Sequence, residues 1–251
     1  MDQYRSDIDI QGIKDCCKIV AEVLNELDSY IKPGITTLEI DRKAEQIIKN
    51  NGAFSAFKGY TLPGLPPYPA TICASINSCI VHGIPREDVV LKEGDIIGID
   101  VGVGKEGYFG DGARTYAVGL ISNEARILME VTEISLSNGI EQAVEGATVG
   151  DISFAIGSYV TSKGFYVADR LTGHGIGKNL HEEPMIPNHG VKANGRRLIK
   201  GMTLAIEPMV NYGTNQVSEI GWEFFVADNS LSAHYEHTVL ITDHEPLILT
   251  R

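Results

Sequence analysis

Residues 95–111 read DIIGIDVGVGKEGYFGD, and the fold prediction starts from this stretch. Its first half has β-branched residues at every second position, which predicts a strand over residues 95–103 with an apolar face formed by Ile97, Ile99, Val101 and Val103. Glycines on both sides of Lys105 and Glu106 predict a tight turn centred on those two residues. A hairpin with that turn places Asp100 directly opposite Asp111, with their Cβ atoms about 5 Å apart.

Two opposed carboxylates in an apolar strand pair predict a bound cation. Like charges at this distance repel each other, and burying a charge without a partner is costly. A divalent ion, or two ions about 3.5–4 Å apart and bridged by carboxylates, removes both penalties. The alternative is a solvated edge hairpin that carries two unrelated acids.

Composition limits the classes of function that fit the chain. At 251 residues the chain is long enough to bury a sizeable core. A formal net charge of −12, without a cluster of Lys and Arg, argues against DNA as a partner. No apolar run approaches the ~20 residues needed to span a membrane, and the first twenty residues lack the pattern of a signal or transit peptide. The four cysteines have neither zinc-ribbon nor disulfide-framework spacing, which favours a cytoplasmic location.

An internal repeat organises the sequence. Residues 34–54 align without gaps on residues 146–166. Each copy has a threonine three residues before an acid, as in a capping box, and a glycine after the last helical turn; the matched positions are Thr36 and Thr148, Glu39 and Asp151, and Gly52 and Gly164. Each copy therefore predicts a helix followed by a strand, with a further helix before it. Chance similarity between two amphipathic helices is the alternative.

Later segments extend the repeat. Residues 91–100 resemble residues 198–207, so Asp100 and Glu207 end equivalent strands, and His82-Gly-Ile-Pro85 resembles His181-Glu-Glu-Pro184. The sequence thus predicts an α/β (α+β) fold, a single catalytic domain over residues 1–251 with pseudo-symmetric halves of about 1–120 and 121–251. We expect the functional site where the two halves meet.

Five side chains are candidate metal ligands. They are Asp100, Asp111, Glu207, Glu236 at the head of a predicted strand, and His174 within a glycine-rich segment. A ligand set made mostly of oxygen atoms suits Mn, Fe(II) or Co as well as Zn. A structural role for His174 is the alternative, and His234 and His237 are assigned to packing or to the surface rather than to the ligands.

The five candidates carry a resemblance to a known family. The contexts Ile-Asp100-Val-Gly, Gly-Asp111-Gly-Ala-Arg-Thr, Gly-His174-Gly-Ile-Gly, Ile-Glu207-Pro-Met-Val and Tyr-Glu236-His-Thr resemble the dinuclear metal site of the type I methionine aminopeptidases. The resemblance covers nearly the whole chain. It implies a pita-bread fold around a central antiparallel sheet and two divalent ions (Co, Mn, Fe(II) or Zn). Asp111 and Glu236 would bridge them, Asp100 would chelate one, and His174 and Glu207 would complete the other.

The same resemblance implies catalytic roles. A water that bridges the metals is the nucleophile, Glu207 is the general base, His181 donates to the carbonyl oxygen, and His82 contacts the substrate backbone near the scissile nitrogen. The alternative for each histidine is a buried, hydrogen-bonded core residue.

The resemblance also implies a pocket for the methionine side chain, walled by Tyr60, Tyr68, Cys73 and Trp222. Each of these could instead be an ordinary core residue. Three features depart from the family pattern: Phe57 and Leu180 replace residues of other types, and residues 61–67, which contain three prolines, lengthen the loop before Tyr68.

The implied function is removal of the initiator methionine from peptides and nascent chains with a small second residue. Expected partners are therefore peptides with an N-terminal methionine and nascent chains, with transient ribosome contact and a monomeric enzyme. A proline-specific aminopeptidase of the same fold is the first alternative, and a metal-free binding protein is the second.

Overall fold

A computed structural model describes residues 5–251, so residues 1–4 of the predicted domain lie outside the described residues. The first half contains α1 (Asp7–Tyr30), α2 (Thr37–Asn50), β1 (Phe54–Ser55), β2 (Cys73–Ile76), β3 (Cys79–Val81), β4 (Ile96–Lys105) and β5 (Tyr108–Ala117). The second half begins with α3 (Asn123–Glu141) and α4 (Val149–Ser162). Its strands are β6 (Tyr166–Val167), β7 (Thr172–Gly175), β8 (Glu182–Pro187), β9 (Thr203–Ile206), β10 (Met209–Asn211), β11 (Val217–Ile220), β12 (Glu223–Val226), β13 (Ser232–His234), β14 (His237–Leu240) and β15 (Leu247–Ile248).

The helix pairs confirm the internal repeat. The backbone N–H of Thr36 donates to the Glu39 carboxylate at 2.8 Å, and Thr148 donates to Asp151 at the same distance. Both helices thus begin with the predicted capping interaction. After each helix, Gly52 and Gly164 adopt φ of 65° and 80°, which are left-handed values that favour glycine.

The predicted hairpin is present, but its predicted register is wrong. The turn is formed by Glu106 and Gly107, which have φ of 52° and 83°, so Lys105 opposes Tyr108. Two consecutive left-handed residues are what a two-residue type I′ turn requires, and Gly107 provides the second of them. Asp111 therefore opposes Gly102, and Asp100 opposes Ala113. The shift is by two residues, so every side chain keeps its face and the two aspartates remain diagonal neighbours.

Each half has its own apolar core beneath its sheet. In the first half, α1 and α2 pack on the predicted apolar face of β4, which includes Ile97, Ile99 and Val101. In the second half, α3 and α4 pack on β9 through residues such as Leu128, Ile152 and Leu204. The helices cover these faces, and the opposite face of β4 carries Asp100.

The two larger sheets meet at β5. One sheet has the order β1-β4-β2 with β5 on β4, the other has the order β15-β14-β9-β7-β8, and every strand pair described within residues 5–251 is antiparallel. The backbone N–H of Glu236 donates to the Ala113 carbonyl at 2.9 Å, and the Thr238 hydroxyl donates to the Asp111 carbonyl at 2.7 Å. These bonds bring acids from both halves together, as the repeat predicted. The single-domain boundaries stay a prediction.

Across residues 5–251, none of the helices combines the length and the apolar character that a membrane crossing requires.

Candidate metal centre and substrate pocket

One cavity of about 580 Å³ collects the predicted site residues. All five candidate ligands line it, together with both candidate histidines and all four candidate pocket residues; these are Asp100, Asp111, His174, Glu207, Glu236, His82, His181, Tyr60, Tyr68, Cys73 and Trp222. Residues that lie far apart in the sequence thus face one space between the halves.

The five candidate ligands come from different strands. Asp100 lies in β4, Asp111 in β5 and His174 in β7, while Glu207 directly follows β9 and Glu236 lies between β13 and β14. Ligand atoms of Asp111, His174 and Glu236 are all within 4.8 Å of one another. Nε2 of His174 is 3.5 Å from Oε1 of Glu207. A cation placed among these atoms would reach ligands from both halves.

His174 is oriented as a metal ligand requires. Its Nδ1 lies 2.9 Å from the carbonyl oxygen of Gly175, so Nδ1 carries the proton and donates to that oxygen. Nε2 then keeps a free lone pair that points toward the carboxylates. Burial lowers the pKa of His174 to about 4, so the imidazole is neutral at pH 7.

The pKa values of the four acids are strongly raised. Burial raises the pKa of Asp111 to about 7, and it raises the pKa values of Asp100, Glu207 and Glu236 well above their usual range. Neighbouring carboxylates push the last three pKa values further in the same direction. Asp111 and Glu236 are buried and Asp100 and Glu207 are half-buried, and four such acids in one place need either protons or cations to offset their repulsion.

Unpartnered polar atoms show that the site fits a divalent metal. Oδ1 of Asp100 and Oε1 of Glu236 are buried and have no hydrogen-bond partner within the part of the chain that the structure describes. Such atoms are rare in folded proteins because an unsatisfied buried acceptor costs about 1–3 kcal/mol. Carboxylate oxygens and a neutral imidazole nitrogen are common ligands of divalent transition metals. The donor set therefore fits the metal ions expected from the sequence.

The two candidate catalytic histidines, His82 and His181, line the same cavity as the acids. The rings of His174 and His181 have their centroids 4.4 Å apart, and Nδ1 of His181 is 3.0 Å from the Tyr60 hydroxyl. Burial and the nearby His181 lower the pKa of His82 to about 4, and burial lowers the pKa of His181. Neutral imidazoles at these positions can donate or accept hydrogen bonds without adding charge.

The segment that carries His181 is fixed by its neighbour. The Glu182 carboxylate accepts hydrogen bonds from the backbone N–H groups of Lys178 and Asn179, at 2.8 and 2.9 Å. Its other oxygen pairs with the buried guanidinium of Arg5 at 2.5 Å. These bonds hold the main chain on both sides of His181 in place.

Comparison with known proteins assigns the family. The family model described as metallopeptidase family M24 matches residues 11–243. The chain belongs to this family. A methionine aminopeptidase of Clostridium acetobutylicum is 48% identical over 248 residues, which cover 98% of this chain and 97% of that protein. Methionine aminopeptidase 1 of Bacillus subtilis is 46% identical over 241 residues and 95% of each chain.

A solved structure shares the complete fold. The crystal structure of methionine aminopeptidase from Thermotoga maritima superposes with a TM-score of 0.96 over 100% of both chains, at 40% identity. The predicted pita-bread fold and the resemblance to the methionine aminopeptidases are thereby confirmed. The M24 chain is a metallo-aminopeptidase, and its family implies divalent metal ions at the acidic cluster.

The pocket of this M24 chain is apolar and packed. Tyr68, Cys73 and Trp222 are buried together, with Phe57 and Tyr60 packed against them. The rings of Tyr68 and Trp222 are perpendicular, with centroids 5.5 Å apart.

The proline-rich loop at residues 61–67 does not displace Tyr68 from the pocket. The backbone N–H of Tyr68 donates to the Tyr60 carbonyl at 2.8 Å, so the loop leaves and returns at adjacent positions. The indole N–H of Trp222 donates to the Pro66 carbonyl at 2.9 Å. The loop is thus tied to the pocket wall. The sequence alone left the position of Tyr68 open.

His234 is the site residue that the sequence analysis missed. It is buried, as the packing assignment implied, but its Nε2 also lies 3.6 Å from Oε2 of Glu207. Ligand atoms of Glu207, His234 and Glu236 are within 4.8 Å of one another. By contrast, His237 contacts the Thr250 hydroxyl at 2.9 Å. Residues two apart in extended chain share a face, so the spacing of His234 and Glu236 was the available signal.

Proposed function

We propose that this chain removes methionine from the amino terminus of peptides and nascent chains, with a small second residue preferred. The observation that carries the proposal is the convergence of four acids and His174 on one cavity with an apolar pocket beside them. The names of the relatives from Clostridium acetobutylicum and Bacillus subtilis support methionine as the residue removed.

Asp100, Asp111, His174, Glu207 and Glu236 would hold two divalent ions, which we propose are Co, Mn, Fe(II) or Zn. Bound there, such ions lower the pKa of a water molecule and polarise a carbonyl oxygen. Asp111 and Glu236 would be shared by both ions in this proposal; their ligand atoms lie within 4.8 Å of each other and of His174. Asp100 would coordinate one ion, and His174 and Glu207 would coordinate the other.

Glu207 is the proposed general base. Its carboxylate lines the cavity, with the His174 imidazole 3.5 Å from one oxygen and the His234 imidazole 3.6 Å from the other. There it accepts the proton of the attacking water and passes it to the departing amine nitrogen.

The two histidines act on the substrate. His181 donates its Nε2 proton to the carbonyl oxygen as negative charge develops on it, and His82 contacts the substrate backbone near the scissile nitrogen. Both side chains line the cavity and have lowered pKa values, so each presents a neutral imidazole.

The apolar pocket is the proposed site for the methionine side chain. Tyr60, Tyr68, Cys73 and Trp222 offer aromatic and thiol surfaces, which suit an unbranched, polarisable thioether. Phe57 and Leu180 add bulk to the same wall. We also propose that the enzyme is cytoplasmic and monomeric and that it contacts the ribosome transiently.

A metal and peptide panel tests the function. Metal-free protein is titrated with Co, Mn, Fe(II) or Zn and assayed on Met-Ala-Ser and Ala-Pro-Ala by product analysis. We expect no cleavage without metal, release of methionine from the first peptide with at least one ion, and no cleavage of the second. Preferred cleavage of Ala-Pro-Ala would support the proline-specific alternative. Inactivity with every ion would support the metal-free binding protein.

Substituting Tyr60 with phenylalanine tests the role of His181. When the Tyr60 hydroxyl donates to Nδ1, the His181 proton must reside on Nε2, where it can reach the substrate carbonyl. Without the hydroxyl, the His181 proton is no longer held on Nε2, and we expect kcat to fall about 10-fold. KM for a Met-Ala-Ser peptide should change little because the ring still walls the pocket.

Tyr166→Phe is the matched control for the Tyr60 variant, because Tyr166 is exposed on β6. Its kcat and KM should equal those of the unmodified protein. A Tyr60→Phe enzyme with normal kcat and raised KM would assign Tyr60 to the pocket wall alone.

A further inference from the structure

His234 has an unused ligand atom beside the metal centre. Its Nε2 is buried and has no hydrogen-bond partner within residues 5–251. The nearest acid atom that the structure places beside it is Oε2 of Glu207, at 3.6 Å. This distance is beyond the 2.7–3.2 Å of an ordinary N–H···O bond, so the pair is not hydrogen-bonded.

We propose that His234 is a sixth metal ligand, which supplies a second imidazole to the metal centre at the position beside Glu207 and Glu236. This inference rests on the proposed metal binding and adds a residue that the sequence assigned to packing. It also raises the number of imidazole ligands in the proposed metal centre from one to two.

The spacing of donor atoms supports an ion between His234 and Glu207. Two ligand atoms that are each about 2.1 Å from one ion and separated by a tetrahedral angle lie about 3.4 Å apart. The His174 Nε2 to Glu207 Oε1 distance is 3.5 Å, and the His234 Nε2 to Glu207 Oε2 distance is 3.6 Å. Each imidazole therefore stands at ligand spacing from one oxygen of Glu207, His174 from Oε1 and His234 from Oε2.

The backbone fixes His234 in this position. Its N–H donates to the Thr115 hydroxyl at 2.9 Å, and that hydroxyl donates to the His234 carbonyl at 2.8 Å. On the other side, β13 pairs with β10, where His234 opposes Met209. A ligand held from both sides in advance loses little freedom when it binds a metal.

A second imidazole predicts a preference among ions. Imidazole suits Zn, Fe and related ions, whereas carboxylate-rich sites suit Mn and Mg. We expect the ratio of Zn affinity to Mn affinity, and of Co affinity to Mn affinity, to be higher in the unmodified protein than in a His234→Gln variant. The variant should lose about 10- to 100-fold in Zn affinity, with a smaller loss for Mn.

Paramagnetic proton NMR of Co(II)-loaded protein counts the coordinated imidazoles directly. Each imidazole bound through Nε2 gives one strongly shifted, exchangeable Nδ1–H signal, which disappears in D₂O. We expect two such signals for the unmodified protein and one for His234→Gln. The matched control is His237→Gln, whose imidazole contacts Thr250, and it should keep two signals.

The number of shifted signals distinguishes a wrong sixth ligand from a failure of metal binding. One signal in the unmodified protein, unchanged in position in His234→Gln, would overturn the sixth ligand while leaving the metal centre intact. Absence of any shifted signal at saturating Co(II) would instead contradict the proposed metal binding itself. Because the count in the unmodified protein already discriminates, the test does not depend on the variant folding.

Discussion

An Asp111→Asn enzyme is expected to lose at least about 1000-fold in kcat/KM, which corresponds to about 4 kcal/mol of transition-state stabilisation. Asp111 lies among the ligand atoms of His174 and Glu236 and is proposed to bridge both ions. Asparagine has nearly the same size and can still accept the hydrogen bond from the Gly112 N–H. It lacks the negative charge, so both ions lose a ligand. Steady-state kinetics and metal content by atomic emission measure the two losses.

The same substitution should stabilise the metal-free protein at pH 8. The pKa of Asp111 is raised to about 7 in the folded chain, whereas an unfolded aspartate titrates near about 3.9. The folded state therefore holds an extra proton between these values, and its stability falls as pH rises through that window. Asparagine does not titrate, so the variant avoids this loss. Thermal unfolding in chelator at pH 8 should give a higher Tm for Asp111→Asn than for the unmodified protein.

Asp151→Asn is the control for an aspartate outside the cavity. Asp151 caps α4 through Thr148, so its loss should reduce stability by about 1 kcal/mol and leave activity and metal content unchanged. Undiminished cleavage by the Asp111→Asn enzyme would remove Asp111 from the mechanism.

A Glu207→Gln enzyme is expected to lose about 100- to 10,000-fold in kcat, the usual contribution of a general base. The amide keeps the length of the side chain but cannot take a proton from water. Because the proposed loss lies in the chemical step, KM for a Met-Ala-Ser peptide should change far less than kcat. Kinetics are measured at saturating metal, with bound metal determined on the same sample.

Glu219→Gln provides the matched control, because Glu219 is exposed on β11 and far from the acids in the sheet order. It should be fully active. A Glu207→Gln enzyme that binds its full metal complement and retains more than a tenth of kcat would show that another group accepts the proton.

In the β4–β5 hairpin, the alternation of residue types predicted which side chains face the core, whereas the turn residues set the register. The period of two assigned Ile97, Ile99 and Val101 to the core and Asp100 to the opposite face, and the structure agrees. The register was wrong because the two left-handed residues are Glu106 and Gly107 rather than the pair centred one residue earlier. A shift of two left the face unchanged, so the prediction of paired acids survived the wrong register.

His234 shows a second limit of the sequence, which does not predict contacts between residues far apart in the chain. The sequence places His234 two residues before Glu236 in an extended segment, which predicts a shared face but no neighbour. Its proximity to Glu207 depends on the hydrogen bonds between β13 and the first half of the chain, chiefly those with Thr115. A contact across more than a hundred residues leaves no local pattern.

The sequence by itself determined the helix caps, the apolar faces of the strands, the duplicated units, and the four acids and one histidine that resemble a metallopeptidase centre. Each of these depends on residues close together in the chain or on a repeated order of residue types. Only the tertiary structure decided the hairpin register, the return of Tyr68 beside Tyr60, and the approach of His234 to Glu207. The register depends on the backbone conformation of the turn, and the return of Tyr68 depends on the path of its loop. The approach of His234 depends on how strands from the two halves pack, because distances between distant residues are set by long-range pairing and not by local periodicity.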